Sequence, residues 1–167
     1  GAGKSLKYAT TTASTTTTAT TYIQVTQGIE GLNLQALAKG TSSAKSVTLS
    51  FWVKANQTGT YAVNLWDATA SRQNSASYTV SAANTWEKKS IVLGPDTTGT
   101  IDNDKSVGLA LNFILAVGSS YTGGSTGVSA HGPTNYAPNQ TVNVAANVGD
   151  YWEVAEVQLE LGSVATD

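Results

Sequence analysis

Trp52 and Trp66, with Asn64 between them and Asp67 and Arg72 close behind, are the residues of this 167-residue chain best suited to chemistry at a surface. An indole offers a flat apolar face that stacks on the C–H face of a sugar. Amide, carboxylate and guanidinium groups exchange hydrogen bonds with its hydroxyls. The same two indoles also suit burial under a loop or against a neighbouring subunit, because tryptophan is highly buried on average. Which reading holds depends on the strand faces that carry them. The stretch from Gly118 to Asn139, rich in Gly, Ser, Thr and Pro, adds Tyr121, His131 and Tyr136. It exceeds an ordinary hairpin loop, which marks it as functional or disordered.

Hydrolytic chemistry has thinner support. Glu153 and Glu156 are the densest pair of carboxyls; an i, i+3 pair in an unbroken strand points to opposite faces and a bulge could bring the two together, but solvated strand edges explain them better. His131 is the only histidine and there is no cysteine, so a nucleophile triad would have to recruit a Ser or Thr from the same Gly-rich loop. An exposed loop imidazole is the simpler account. Asp102 and Asp104, flanking Asn103 and with Asp96 nearby, have the oxygen-ligand character that calcium prefers. The EF-hand pattern fails, since the sixth position is not Gly and Phe113 occupies the twelfth.

Nine Lys and Arg against eleven Asp and Glu give a net charge of −2. Charged residues make up 12% of the chain, about half the usual share, so hydroxyls, amides and backbone must wet the exterior. No basic cluster exists to neutralise a phosphate backbone, which argues against nucleic acid as a partner. No apolar run reaches the ~20 residues needed to cross a bilayer as a helix, so no membrane insertion is expected. Without cysteine there is no disulfide and no thiol chemistry, though the compartment stays open. Gly1-Ala2-Gly3 reads as a processing or fusion scar, residues 1–4 as scar or linker, and 5–167 as one domain.

Positioning falls to strands. Val47, Leu49, Phe51 and Val53 alternate with polar or amphipathic neighbours through Lys54. Tyr61, Val63 and Leu65 do the same against Ala62, Asn64 and Trp66. If these two strands pair as a hairpin with both apolar sets inward, Phe51 lies near Val63, and Trp52, Asn64 and Trp66 share the outer face. Further strands are expected at 22–29, 77–80, 86–93, 107–117, 141–145 and 151–161. The last changes phase between Val154 and Val157, so a β-bulge near Ala155 and Glu156 is needed to keep Trp152, Val154, Val157, Leu159 and Leu161 on one face. The only helix expected is a turn or two at Leu32–Lys39, stopped by Gly40. Ala9–Thr21 is nearly all Thr, Ala and Ser and reads as extended with a mobile tip. The pattern is that of an all-β antiparallel sandwich. Leu49, Phe51, Val63, Leu65, Leu109, Leu111, Phe113, Val157 and Leu159 are its expected core.

The segments Val47–Lys54, Asn84–Lys89 and Val157–Gly162, together with Gln27–Gly31 and Asp96–Asp104, resemble a jelly-roll domain of bacteriophage tail-fibre and other virion proteins, the marine type in particular. That domain is a distant relative of the carbohydrate-binding modules attached to xylanases. The resemblance runs from about Ser5 to Asp167. It implies a jelly roll, a place on the virion surface, a host-surface glycan as ligand, and association with other virion subunits, as a homotrimer in the full fibre. It also implies a structural calcium whose last-strand acid would fall at Glu156, with Ala155 standing where the family has a second acid. No other cofactor and no catalytic residue follow from it. An assembly or capsid-decoration module is the alternative of a different class, and a polysaccharide depolymerase is a third.

Overall fold

The alternation at Val47–Lys54 does become a strand, but its partner is not the strand that follows it. In the computed structural model, which describes residues 3–14 and 18–166, the strands are β1 (Leu6–Ala9), β2 (Tyr22–Glu30), β3 (Val47–Ala55), β4 (Gly59–Asp67), β5 (Arg72–Val80), β6 (Glu87–Leu93), β7 (Val107–Val117), β8 (Gly127–Ala130) and β9 (Tyr151–Leu161). They form a four-stranded sheet ordered β1-β9-β3-β6 and a five-stranded sheet ordered β2-β7-β4-β5-β8, with antiparallel pairing throughout. The chain changes sheet at β1–β2, β2–β3, β3–β4, β5–β6, β6–β7 and β8–β9. Setting aside the added edge strand β8, this is the jelly-roll order.

The inward residues of both sheets make the core. Leu49, Phe51 and Val53 of β3 meet Val63 and Leu65 of β4 and Leu109, Leu111 and Phe113 of β7. Aromatic rings run through its centre. Phe51 lies edge-on to both Phe113 and Tyr78 at 5.1 Å, Tyr61 stacks on Tyr78 at 5.5 Å, and the fully buried Trp152 donates its Nε1–H to the Tyr78 hydroxyl at 3.0 Å. Burying each such ring stabilises the fold by about 2–3 kcal/mol, and the paired indole and phenol leave no polar atom stranded. Burial pushes the Tyr78 and Tyr61 phenols well above their ordinary range.

The bulge in β9 forms as its phase change requires. Trp52 faces Ala155 and Ser50 faces Gln158, so Glu156 and Val157 together stand opposite Phe51, with Glu156 at φ 51°. Trp152 and Val154 reach the core and Leu159 packs against it. Val157 is a correction: it is 42% exposed. β1 covers the edge of β9 only as far as Val154, and beyond it the sheets part around an opening of about 470 Å³ lined by Leu6, Val25, Phe113 and Val157.

Other expectations shift as well. The segment 141–145 is not a strand. Val142 and Val144 enter the core, but the backbone makes isolated bonds, Thr141 N–H to the Thr60 carbonyl and Val144 N–H to that of Leu115. The short helix is a 3₁₀ segment, Gly31–Leu37, and Ala38 at φ 49° takes the left-handed stop before Gly40 does so at φ 81°. β5 begins five residues earlier than its apolar signal. Within Ala9–Thr21, Ala9 ends β1, the Thr10 hydroxyl donates to the Val144 carbonyl, and residues 15–17 lie outside the described residues.

Candidate functional site

Because β3 and β4 belong to different sheets, Trp52 and Trp66 do not share a face. Trp52 is half-buried on the outside of the four-stranded sheet, between Lys88 of β6 and Ala155 of β9. Trp66 is on the outside of the five-stranded sheet, 36% exposed. The platform expected from a β3–β4 hairpin is therefore split across the two sides of the sandwich.

Asp67 and Arg72 leave the platform too. Trp66 points outward, so the next residue of an extended chain points inward, and Asp67 is 1% exposed. Its carboxylate accepts the Lys39 ammonium at 2.5 Å, and its other oxygen accepts the Ala70 N–H. Arg72, opposite Asp67 across the hairpin, donates through Nε to Asp96 at 2.6 Å, and Lys39 also lies 3.2 Å from Asp96. These four groups close one end of the sandwich. Burial alone would raise the Asp96 pKa, but the Arg72 guanidinium, the Thr98 N–H and the Lys39 ammonium outweigh it and hold the carboxyl below its usual range.

Trp66 instead gains the long loop. Residues 118–140 fold back over the outer face of the five-stranded sheet. Tyr136 and Ala137 pack on Ala62 and Ile114, and Tyr22, Tyr121 and Tyr136 form a ring cluster with centroids 5.7–5.8 Å apart. The Tyr136 hydroxyl donates to Gln24 Oε1, and burial pushes this phenol up to about 12, against the lowering effect of that hydrogen bond. Sheet side chains hold the loop backbone. Ser75 donates to the Asn135 carbonyl at 2.6 Å, Gln73 to that of Gly132 at 3.1 Å, and Asn64 to Ser75 Oγ and the Tyr136 carbonyl. Asn64 is thus fully buried as a loop anchor. His131 is exposed, 6.0 Å ring to ring from Trp66 and 6.4 Å from Tyr136. Of the residues singled out in the sequence, Trp66, Tyr121, His131 and Tyr136 come together, and Trp52, Asp67 and Arg72 do not.

The floor beside Trp66 is set by register. Ala110 of β7 lies opposite Trp66, and Gly28 of β2 lies opposite Ala110. A Cβ on Gly28 would meet Val107 Cγ2 at 3.0 Å, so the half-exposed Val107 leans over that glycine. The next row holds Asn112 and Thr26. Asn112 Oδ1 accepts both the Thr26 hydroxyl at 2.8 Å and Gln24 Nε2 at 3.1 Å. The surface is a low apolar shelf next to an indole, bordered by ordered amides and a hydroxyl. Tyr22, Gln24 and Thr26 escape sequence reasoning, because a polar outer row on an edge strand looks like ordinary solvated surface.

Asp102, Asp104 and Glu156 do not assemble. Asp104 accepts the Ser106 N–H within its own loop at 2.8 Å, Glu156 sits in the β9 bulge, and among the described residues no group of three His, Cys, Asp or Glu is placed to hold a metal. Glu153 is bound to Lys54 at 2.6 Å. His131 has the Gln73 amide at its Nδ1, where a triad would place a carboxylate.

No protein-family model matches the chain, and no match is found among curated proteins or among solved structures.

Proposed function

We propose that this chain is a non-catalytic module of a phage tail fibre or related virion appendage that binds host-surface carbohydrate through the outer face of its five-stranded sheet. The observation that carries the reading is Trp66: an indole over one-third exposed, beside His131, over a shelf lined by Ala110 and Gly28. Stacked aromatic area dominates sugar binding, since each hydroxyl exchanges one partner for another at a net gain of only about 0.5–1.5 kcal/mol. The virion setting rests on the sequence resemblance, and the jelly roll is consistent with it. Sites of about millimolar affinity suffice there, because a trimer displayed on many fibres multiplies them through effective concentration.

The test is a glycan array on the folded chain with two variants. Trp66→Ala is expected to lose binding while keeping its circular dichroism. Trp52→Ala, on the opposite side of the sandwich, is expected to bind as the parent does. Loss with Trp52→Ala and retention with Trp66→Ala would move the site to the other sheet. The assembly-module reading rests on a different place, the opening between the sheets where Leu6 and Val157 stand 54% and 42% exposed. It gains if the array is silent.

A further inference from the structure

We propose that the Trp66 face selects neutral, hydroxyl-rich sugars and rejects uronates, sialates and sulfated glycans. This deepens the carbohydrate reading above and rests on it.

The first ground is where the charges are. From Ser106 through Gly149, which spans β7, the loop over the sheet and β8, there is no Lys, Arg, Asp or Glu. β4 contains a single charged residue, Asp67, and β5 a single one, Arg72, and both are turned into the end cluster with Lys39 and Asp96. β2 contains only Glu30, at its last position. The opposite sheet has the reverse character. Its outer face carries Lys7 over the Tyr151 ring at 4.2 Å and Lys54 over the Trp86 ring at 4.9 Å, with Glu153 bound to Lys54. A carboxylate or sulfate placed against Trp66 would give up water and find no Lys or Arg on β2, β7, β8 or the covering loop to pair with, and the nearest charge along β2, Glu30, would repel it. A neutral sugar meets neither penalty.

The second ground is the state of His131. The Gln73 amide nitrogen donates to the Gly132 carbonyl, which fixes that amide's orientation and leaves Oε1 as the acceptor facing His131 Nδ1 at 3.1 Å. Nδ1 therefore carries a proton, and in the neutral imidazole Nε2 is an acceptor. Such a ring acceptor 6.0 Å from an indole suits a sugar hydroxyl donor and offers nothing to a carboxylate or sulfate oxygen, which only accepts. Together the indole, the shelf and this acceptor define a ligand with an apolar face, a hydroxyl rim and no charge.

Affinity electrophoresis of the full chain through gels containing neutral glucan, galactomannan or xylan, set against polygalacturonate, alginate and carrageenan, tests this. Retardation by a neutral polymer alone is expected. Trp66→Ala should abolish it, and His131→Ala should weaken it about five-fold, the value of one ordinary hydrogen bond. Trp66→Phe, which keeps a ring, should retain part of it, and an unchanged circular dichroism of Trp66→Ala shows that its loss of binding is not loss of fold. Retardation by an anionic polymer that disappears in Trp66→Ala would overturn the neutral-sugar inference and leave the carbohydrate site standing. No retardation by any polymer, or retardation indifferent to Trp66→Ala, would overturn the site and the inference with it.

Discussion

Single residues of this molecule are set by what their neighbours in register allow, and Glu156 illustrates it. The phase change between Val154 and Val157 is visible in the sequence and forces an extra residue into β9. The extra residue takes φ 51°, the left-handed conformation in which a side chain crowds its own carbonyl at a cost of roughly 1–2 kcal/mol. Glycine carries no such cost and valine carries more, because branching at Cβ worsens the crowding. Glu156→Gly is therefore expected to be more stable than Glu156→Val by about 1–2 kcal/mol in urea unfolding. Equal midpoints would mean that the bulge is not held at this residue. The same residue was expected to ligate calcium. Its bulge position, and the absence of a three-acid group among the described residues, give it this backbone role instead.

The elements were legible where a run of apolar side chains marks the inward face, as in β3, β4, β7 and β9, whether or not the outer face is covered. They were hidden where both faces are covered but one cover is polar. The outward side chains Gln73 and Ser75 at the start of β5 are buried because they hold the backbone of the loop above them, so the strand lacks an apolar signal there. β8 pairs with that same stretch through a short Gly-Val-Ser-Ala run and left no signal at all. The site was half legible for a related reason. The residue types were right, but nothing in Asn56–Thr58 distinguishes a hairpin turn from a crossing between sheets, and that choice decides whether Trp52 joins Trp66. The loop cover itself makes a prediction. Tyr136 is its largest buried contact, so Tyr136→Ala is expected to cost about 3–4 kcal/mol and to accelerate amide hydrogen exchange across 119–137 more than in β3 and β9. Uniform acceleration would mean that the loop and the sandwich open as one unit.

At the scale of the whole molecule the charges are sorted, with one sheet face kept free of them and a buried quartet joining the Lys39 segment, the β4–β5 hairpin and the loop after β6. That sorting sets how stability depends on pH. Asp96 is held below its ordinary pKa, its burial being outweighed by Arg72, the Thr98 N–H and Lys39. Glu87 is lowered through Lys89 and the Ala82 and Ser81 amides against its desolvation, and Glu160 through Thr166. A carboxyl whose pKa is lower folded than unfolded contributes stability above its unfolded value, near 4, and loses it as pH falls through the folded value. Lys54 runs the other way: the Glu153 hydrogen bond raises its pKa, so its contribution is present below about 10.4 and is lost as pH rises through the higher folded value. The melting temperature is therefore expected to stay level with respect to these groups between about pH 5 and pH 9 and to fall below about pH 4. Asp96→Asn should flatten the acid limb and lower the plateau by on the order of 3 kcal/mol, since it leaves Arg72 without its carboxylate and Lys39 with one carboxylate, Asp67, in place of two. An acid limb unchanged in Asp96→Asn would place the acid sensitivity in the exposed carboxyls and not in the quartet.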